Sequence, residues 1–66
     1  MTNGQVRDAW RANVLPFIVE QYEADGVPDI PARSESFNNY TDSLCKDGEI
    51  SEYQYNTIAH PSECER

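Results

Sequence analysis

Cys45, His60 and Cys64 are the residues of this sequence with the most reactive side chains, since thiolate and imidazole groups bind zinc and act as nucleophile and base. The spacing His60-x-x-x-Cys64 suits zinc, but a structural zinc site needs four ligands and the sequence has no Cys-x-x-Cys pair. Nucleophilic catalysis needs a base held beside the nucleophile, and the single histidine lies near the chain end, where we expect it to stabilise a helix terminus. We therefore predict no catalytic residue, no metal site and no cofactor.

Residues 47–51, Asp-Gly-Glu-Ile-Ser, have the spacing found in the middle of a calcium-binding EF-hand loop. With Gly48 at loop position six, the ligand positions one, three and twelve fall on Ser43, Cys45 and Gln54. Calcium requires carboxylates at positions one and three and a bidentate glutamate at position twelve, and none of these three residues is acidic. We interpret the segment as a tight glycine turn between two helices.

Charge is the strongest signal in the sequence, with 12 acidic residues against 5 basic ones and a net charge of −7. Eleven of the carboxylates lie from Glu20 onward, where only Arg33, Lys46 and Arg66 oppose them. An anionic field of this kind attracts basic surfaces, above all those that hold nucleic acid. Acidity that only maintains solubility is the competing interpretation.

The acidic residues concentrate around one predicted helix–turn–helix junction. Glu35 and Asp42 lie two helical turns apart on one face of the second predicted helix, about 10 Å along the axis. DNA presents a phosphate every ~3.4 Å along each strand, so the pattern predicts a coarse imitation of DNA charge. An exposed tyrosine beside carboxylates is typical of binding surfaces. The predicted partner-binding residues are Glu35, Asp42, Asp47, Glu49, Glu52 and Tyr53.

Helices must position these residues, because apolar residues recur at helical spacing and no segment alternates with period two for long. A first helix is predicted over residues 5–24, with capping box Thr2/Gln5 and a kink or break near residues 13–15 caused by Pro16. A second helix is predicted from about Ser34, or slightly earlier with Pro31 in its first turn, to Lys46. A third runs from the capping box Ser51/Gln54 to about residue 59.

The predicted fold is all-α: a small three-helix domain in which a long kinked N-terminal helix, with Trp10 in the core, packs on a helical hairpin. Residues 1–66 form one domain, with residues 62–66 as a flexible tail. No secretory signal and no apolar stretch of ~20 residues is present, so we expect a soluble, intracellular protein. Whether Cys45 and Cys64 pair is left open, although cysteines in an intracellular chain are more often reduced.

The segments 29–33 (DIPAR), 39–55 (NYTDSLCKDGEISEYQY) and 60–61 (HP) resemble small accessory proteins encoded by tailed phages and prophages. With its size, acidity and predicted helices, the chain is similar to an anti-CRISPR protein of the type I-C inhibitor group. The resemblance covers residues 29–61. It implies a monomeric phage inhibitor, acting in the cytoplasm of the bacterial host, that blocks target-DNA recognition by a type I CRISPR surveillance complex through an acidic, DNA-mimicking surface.

The partner implied by the resemblance is the basic DNA-binding surface of a Cas protein, in particular the Cas8-type subunit of type I Cascade. No direct binding to nucleic acid or to a membrane is expected of so acidic a chain. The alternative is a phage structural or accessory protein that binds another protein through apolar contacts, with no nucleic-acid mimicry.

Overall fold

The structure, a computed structural model, describes residues 1–65. These residues contain no strand and form four α-helices and a short 3-10 helix. The helices are α1 (Asn3–Asn13), α2 (Leu15–Tyr22), α3 (Ile30–Lys46) and α4 (Glu52–Thr57), and the 3-10 helix is Ser62–Cys64. The all-α prediction is confirmed, but the three-helix arrangement is not, since the predicted first helix is two helices.

Pro16 explains why α1 and α2 are separate. Proline has no backbone N–H to donate and its ring clashes with the carbonyl four residues earlier, so it is disfavoured inside a helix and tolerated in the first turn. Pro16 lies in the first turn of α2, and Val14 serves both as the C-terminal cap of α1 and as the N-terminal cap of α2. The predicted long N-terminal helix with a single kink is therefore not confirmed.

Local sequence signals define the other helix ends. Both predicted capping boxes, Thr2/Gln5 and Ser51/Gln54, are present with reciprocal hydrogen bonds. Asp29 caps α3 by accepting a hydrogen bond from the backbone N–H of Ala32 at 3.1 Å, so α3 takes the earlier of its two predicted starts. α4 ends at Thr57, two residues before the predicted end.

The core lies where α1 crosses α3 and is built from Val6, Trp10, Phe37, Ile50 and Cys64. The rings of Trp10 and Phe37 meet edge to face, with centroids 5.7 Å apart, a favoured aromatic geometry. The indole Nε1–H of Trp10 donates to the Ser36 hydroxyl at 3.2 Å, so this buried donor is satisfied. The predicted core position of Trp10 is confirmed.

The flexibility of residues 62–66 stays a prediction, and Arg66 lies outside the described residues, but residues 59–65 make contacts that the sequence did not indicate. Pro61 and Cys64 are buried, two arginines donate to Glu63 and a third donates to Ala59. Arg7 donates to the Ala59 carbonyl, Arg11 to the Glu63 carboxylate and Arg33 to the Glu63 carbonyl. These long-range contacts hold the segment against α1 and α3, and they cannot be read from its polar local sequence.

None of the helices in residues 1–65 combines the length and the apolar character that crossing a membrane requires.

Candidate functional site

The turn between α3 and α4 presents most of the predicted binding residues, and we call Asp42, Asp47, Glu49, Glu52 and Tyr53 the acidic corner. Gly48 takes the left-handed conformation, with φ at +78°. The Gly48 N–H donates to the Cys45 carbonyl at 3.1 Å, and the Glu49 N–H donates to the Leu44 carbonyl at 2.9 Å. With Ile50 buried directly after the turn, the backbone of the corner is held in place.

Most side chains of the acidic corner are open to solvent. Asp47, Glu49 and Glu52 are exposed, and Tyr53 is 76% exposed. Asp42 differs, because the Lys46 ammonium lies 3.0 Å from its carboxylate, one turn along the helix. The hydrogen bond to Asp42 raises the pKa of Lys46, because it favours the charged ammonium.

The chain's own amino terminus also enters the acidic corner, which the sequence did not indicate. The Met1 ammonium donates to the Glu49 carbonyl at 3.0 Å, and Gln54 Nε2 donates to the Met1 carbonyl at 2.7 Å. Together with Lys46, this places two cations among four carboxylates and leaves the corner with a net charge of about −2.

Glu35 is the predicted site residue that the structure does not bring to the acidic corner. It lies twelve residues before Asp47, about 18 Å along the axis of α3. Glu35 also lines a groove between α2 and α3. Among the predicted residues, Glu35 therefore lies towards one end of α3, and Asp47, Glu49 and Glu52 lie at and beyond its other end.

The α2–α3 groove is formed by Phe17, Ile18 and Tyr22 from α2 and by Glu35, Ser36 and Asn39 from α3. Its volume is about 220 Å³. Phe17 and Tyr22 are each 57% exposed, although the sequence pattern places both on the apolar face of a single long helix. Because the helix divides at Val14, Phe17 and Tyr22 do not continue the apolar face of α1. Ile18 is the one buried residue of α2.

The arginines of residues 1–65 all donate to groups of the protein itself. Arg33 forms two 2.6 Å bonds to the buried Glu23 carboxylate, which lower the pKa of Glu23. Arg11 binds Glu63 at 2.7 Å and Asp8 at 3.0 Å, and its hydrogen bond lowers the pKa of Glu63. Eight other carboxylates of residues 1–65 have no ion pair there, namely Glu20, Asp25, Asp29, Glu35, Asp47, Glu49, Glu52 and Glu65.

The three candidate zinc ligands are distributed along α3. Cys64 lies beside Ser34 near the start of the helix, whereas Cys45 lies in its last turn, about 16 Å further along the axis. Both thiols are free, and this separation is too large for a disulfide. Among residues 1–65, no group of three or more potential metal ligands comes together.

His60 does not lie at a helix end as the sequence suggested, because α4 ends at Thr57. Its ring packs on Phe37 with centroids 5.1 Å apart, and Nε2 is 3.1 Å from Asn38 Oδ1. The histidine therefore contacts α3.

Comparison with protein-family models, curated proteins and solved structures found no match for this chain.

Proposed function

We propose that this chain is a non-enzymatic binding protein whose anionic surface binds the basic, nucleic-acid-binding surface of another protein. The observation that supports the proposal is that, in residues 1–65, the basic side chains are paired within the protein while most acidic ones are not. The arginines of residues 1–65 are engaged with the protein itself, while seven carboxylates without an ion pair in this part of the chain are exposed. A surface of this kind accelerates association with a cationic partner and repels nucleic acid itself.

The dimensions of the protein are compatible with occupying a DNA-binding cleft. Its principal-axis extents are 37 × 20 × 16 Å, and the long axis is close to the ~34–36 Å of one turn of B-DNA. The exposed carboxylates are fewer than the phosphates along such a length, so the imitation is one of charge and size.

The resemblance to type I-C anti-CRISPR inhibitors makes the Cas8-type subunit of type I Cascade the first partner to test. In this proposal the phage protein acts in the cytoplasm of the bacterial host and competes with target DNA. The acidic corner is the part that contacts the partner, with Tyr53 supplying apolar area beside the carboxylates.

Charge reversal tests this proposal. Changing Asp47, Glu49 and Glu52 together to lysine should weaken inhibition of DNA binding by a purified type I-C complex by at least about tenfold, because attraction becomes repulsion. The assay is fluorescence anisotropy of a labelled target duplex. The matched control changes Glu20, Asp25 and Glu65 to lysine, which alters the net charge equally but at other exposed positions.

The two variants separate the possible results. Inhibition retained by the control and lost by the corner variant supports the assignment of the corner. Equal losses would show that only net charge matters, and an unmodified protein that does not inhibit would exclude this target. Circular dichroism checks that both variants remain helical.

A second candidate function is supported by the apolar residues left exposed on and after α2. Phe17, Val19, Tyr22 and Val27 are between 39% and 62% exposed, which suits an accessory protein that binds another protein through apolar contacts. Salt distinguishes the two functions. Between about 0.05 and 0.5 M NaCl an apolar complex keeps or gains affinity, whereas a complex held by charge weakens.

A further inference from the structure

Glu35 in the α2–α3 groove lies about 18 Å from Asp47 along α3, and the groove is separate from the contacts assigned to the acidic corner in the proposed function. At about 220 Å³ it is smaller than the ~300–1,000 Å³ of typical small-molecule sites. A groove of this size suits one inserted side chain of another protein.

The chemistry of the groove indicates which side chain it would accept. Two aromatic rings, Phe17 and Tyr22, are each 57% exposed at its α2 wall. On the α3 wall, the side chains of Glu35 and Asn39 make no hydrogen bond or ion pair within residues 1–65. Ser36, in contrast, is already satisfied, because its hydroxyl accepts from Trp10 and donates to the Arg33 carbonyl.

No cationic residue lines the groove, and Arg33, on the same helix, is held by Glu23 and Glu63. Glu35 is therefore an anion beside aromatic faces without an internal counterion among the described residues. An arginine guanidinium matches this combination, since it stacks on aromatic rings and pairs with a carboxylate through parallel N–H donors. A lysine ammonium is more strongly hydrated and cannot make the same planar stack.

From this complementarity we infer that the α2–α3 groove is a binding site for an arginine side chain of a partner protein. The guanidinium stacks against Phe17 and Tyr22 and donates to the Glu35 carboxylate, with Asn39 as a further acceptor. The inference goes beyond the proposed function because it assigns a second contact site and names the residue type that the site takes.

The Trp10 indole provides a direct reporter of occupancy, since it donates to Ser36 in the groove wall. In the NMR experiment, the ¹⁵N-labelled full chain is titrated with nine-residue glycine-rich peptides that carry three arginines, three lysines, three citrullines or three leucines. We expect the arginine peptide to shift the Trp10 indole and Asn39 amide signals and to bind at least about fivefold more tightly than the lysine peptide. The citrulline peptide, which keeps the planar shape without the charge, should bind more weakly still.

Matched variants assign the contact to the groove. Phe17→Ala and Glu35→Gln should each reduce arginine-peptide affinity at least about fivefold. The first removes an aromatic ring for stacking, and the second removes the negative charge that pairs with the guanidinium. Tyr53→Ala and Glu52→Gln make the same chemical changes at the acidic corner and should leave the groove signals unchanged. Phe17 is half exposed, and a retained Trp10 indole signal shows that its variant is folded.

Each other result would overturn the inference. Equal binding of the leucine peptide would mean an apolar docking site, and signals that change on dilution alone would mean a second copy of this chain. Equal affinity for arginine and lysine with shifts centred on the acidic corner would mean non-selective attraction. The peptide assay contains no CRISPR complex, so its failure is distinct from a failure of the proposed function.

Discussion

At the scale of single residues, Glu23 and Arg33 form the most buried ion pair among residues 1–65. Both bonds are 2.6 Å long, and the side chains are 6% and 16% exposed. Arg33 donates in addition to the Glu63 carbonyl at 3.0 Å, so one guanidinium connects the end of α2 to the C-terminal segment. Removing one member would leave the other poorly solvated, which is strongly destabilising.

Glu23→Gln should therefore lower the Tm at pH 7 by about 5 °C or more, while Glu20→Gln, an exposed control on the same helix, should change it little. The folded pKa of Glu23 lies below its ordinary value of 4.5, so its contribution is complete above that pH and is lost as the pH falls through the folded pKa. Thermal melts should show the gap between wild type and Glu23→Gln narrowing below pH 4.5. A constant gap down to pH 3 would contradict this assignment.

At the scale of elements, the α3–α4 turn depends on one backbone conformation. Gly48 has φ at +78°, where a side chain is strained even though an added Cβ would meet no atom within 4 Å. Gly48→Ala should cost about 1–2 kcal/mol of unfolding free energy in urea titrations. Gly4, in the ordinary helical backbone of α1, is the matched control, and Gly4→Ala should be neutral or stabilising. Equal effects of the two changes would refute the conformational argument.

The helices also show which structural features could be predicted from the sequence. The capping boxes and the Asp47-Gly48 helix stop were predictable because each depends on residues within one turn of the helix end. The contacts between side chains of different helices were not predictable from the sequence. Glu35 was included among the binding residues for its charge and its spacing from Asp42, and its placement in one groove with Phe17 depends on how α2 packs on α3. The contacts of Glu63 likewise depend on arginines more than 25 residues away in sequence.

At the scale of the whole molecule, the net charge is −7, and most carboxylates of residues 1–65 have no basic partner there. Only four carboxylates of residues 1–65 form ion pairs, and of these pairs only Glu23–Arg33 is well buried. Repulsion among the exposed carboxylates should therefore dominate the salt response of stability.

Raising NaCl from about 10 mM to about 150 mM, which shortens the Debye length from ~30 Å to ~8 Å, should raise the Tm by a few degrees. A variant with Glu20, Glu49 and Glu52 changed to glutamine should show a smaller rise in the same melts. A Tm that falls with salt would mean that the ion pairs outweigh the repulsion.

The ammonium group of Met1 on the Glu49 carbonyl has a practical consequence for anyone who produces this protein. A purification tag or reporter fused ahead of Met1 would replace that ammonium with an amide and add a polymer beside Glu49 and Gln54. Such a fusion would therefore change the electrostatic potential and the accessibility of the acidic corner. An affinity handle at the other end keeps the contact between Met1 and Glu49 in place while a binding constant is measured.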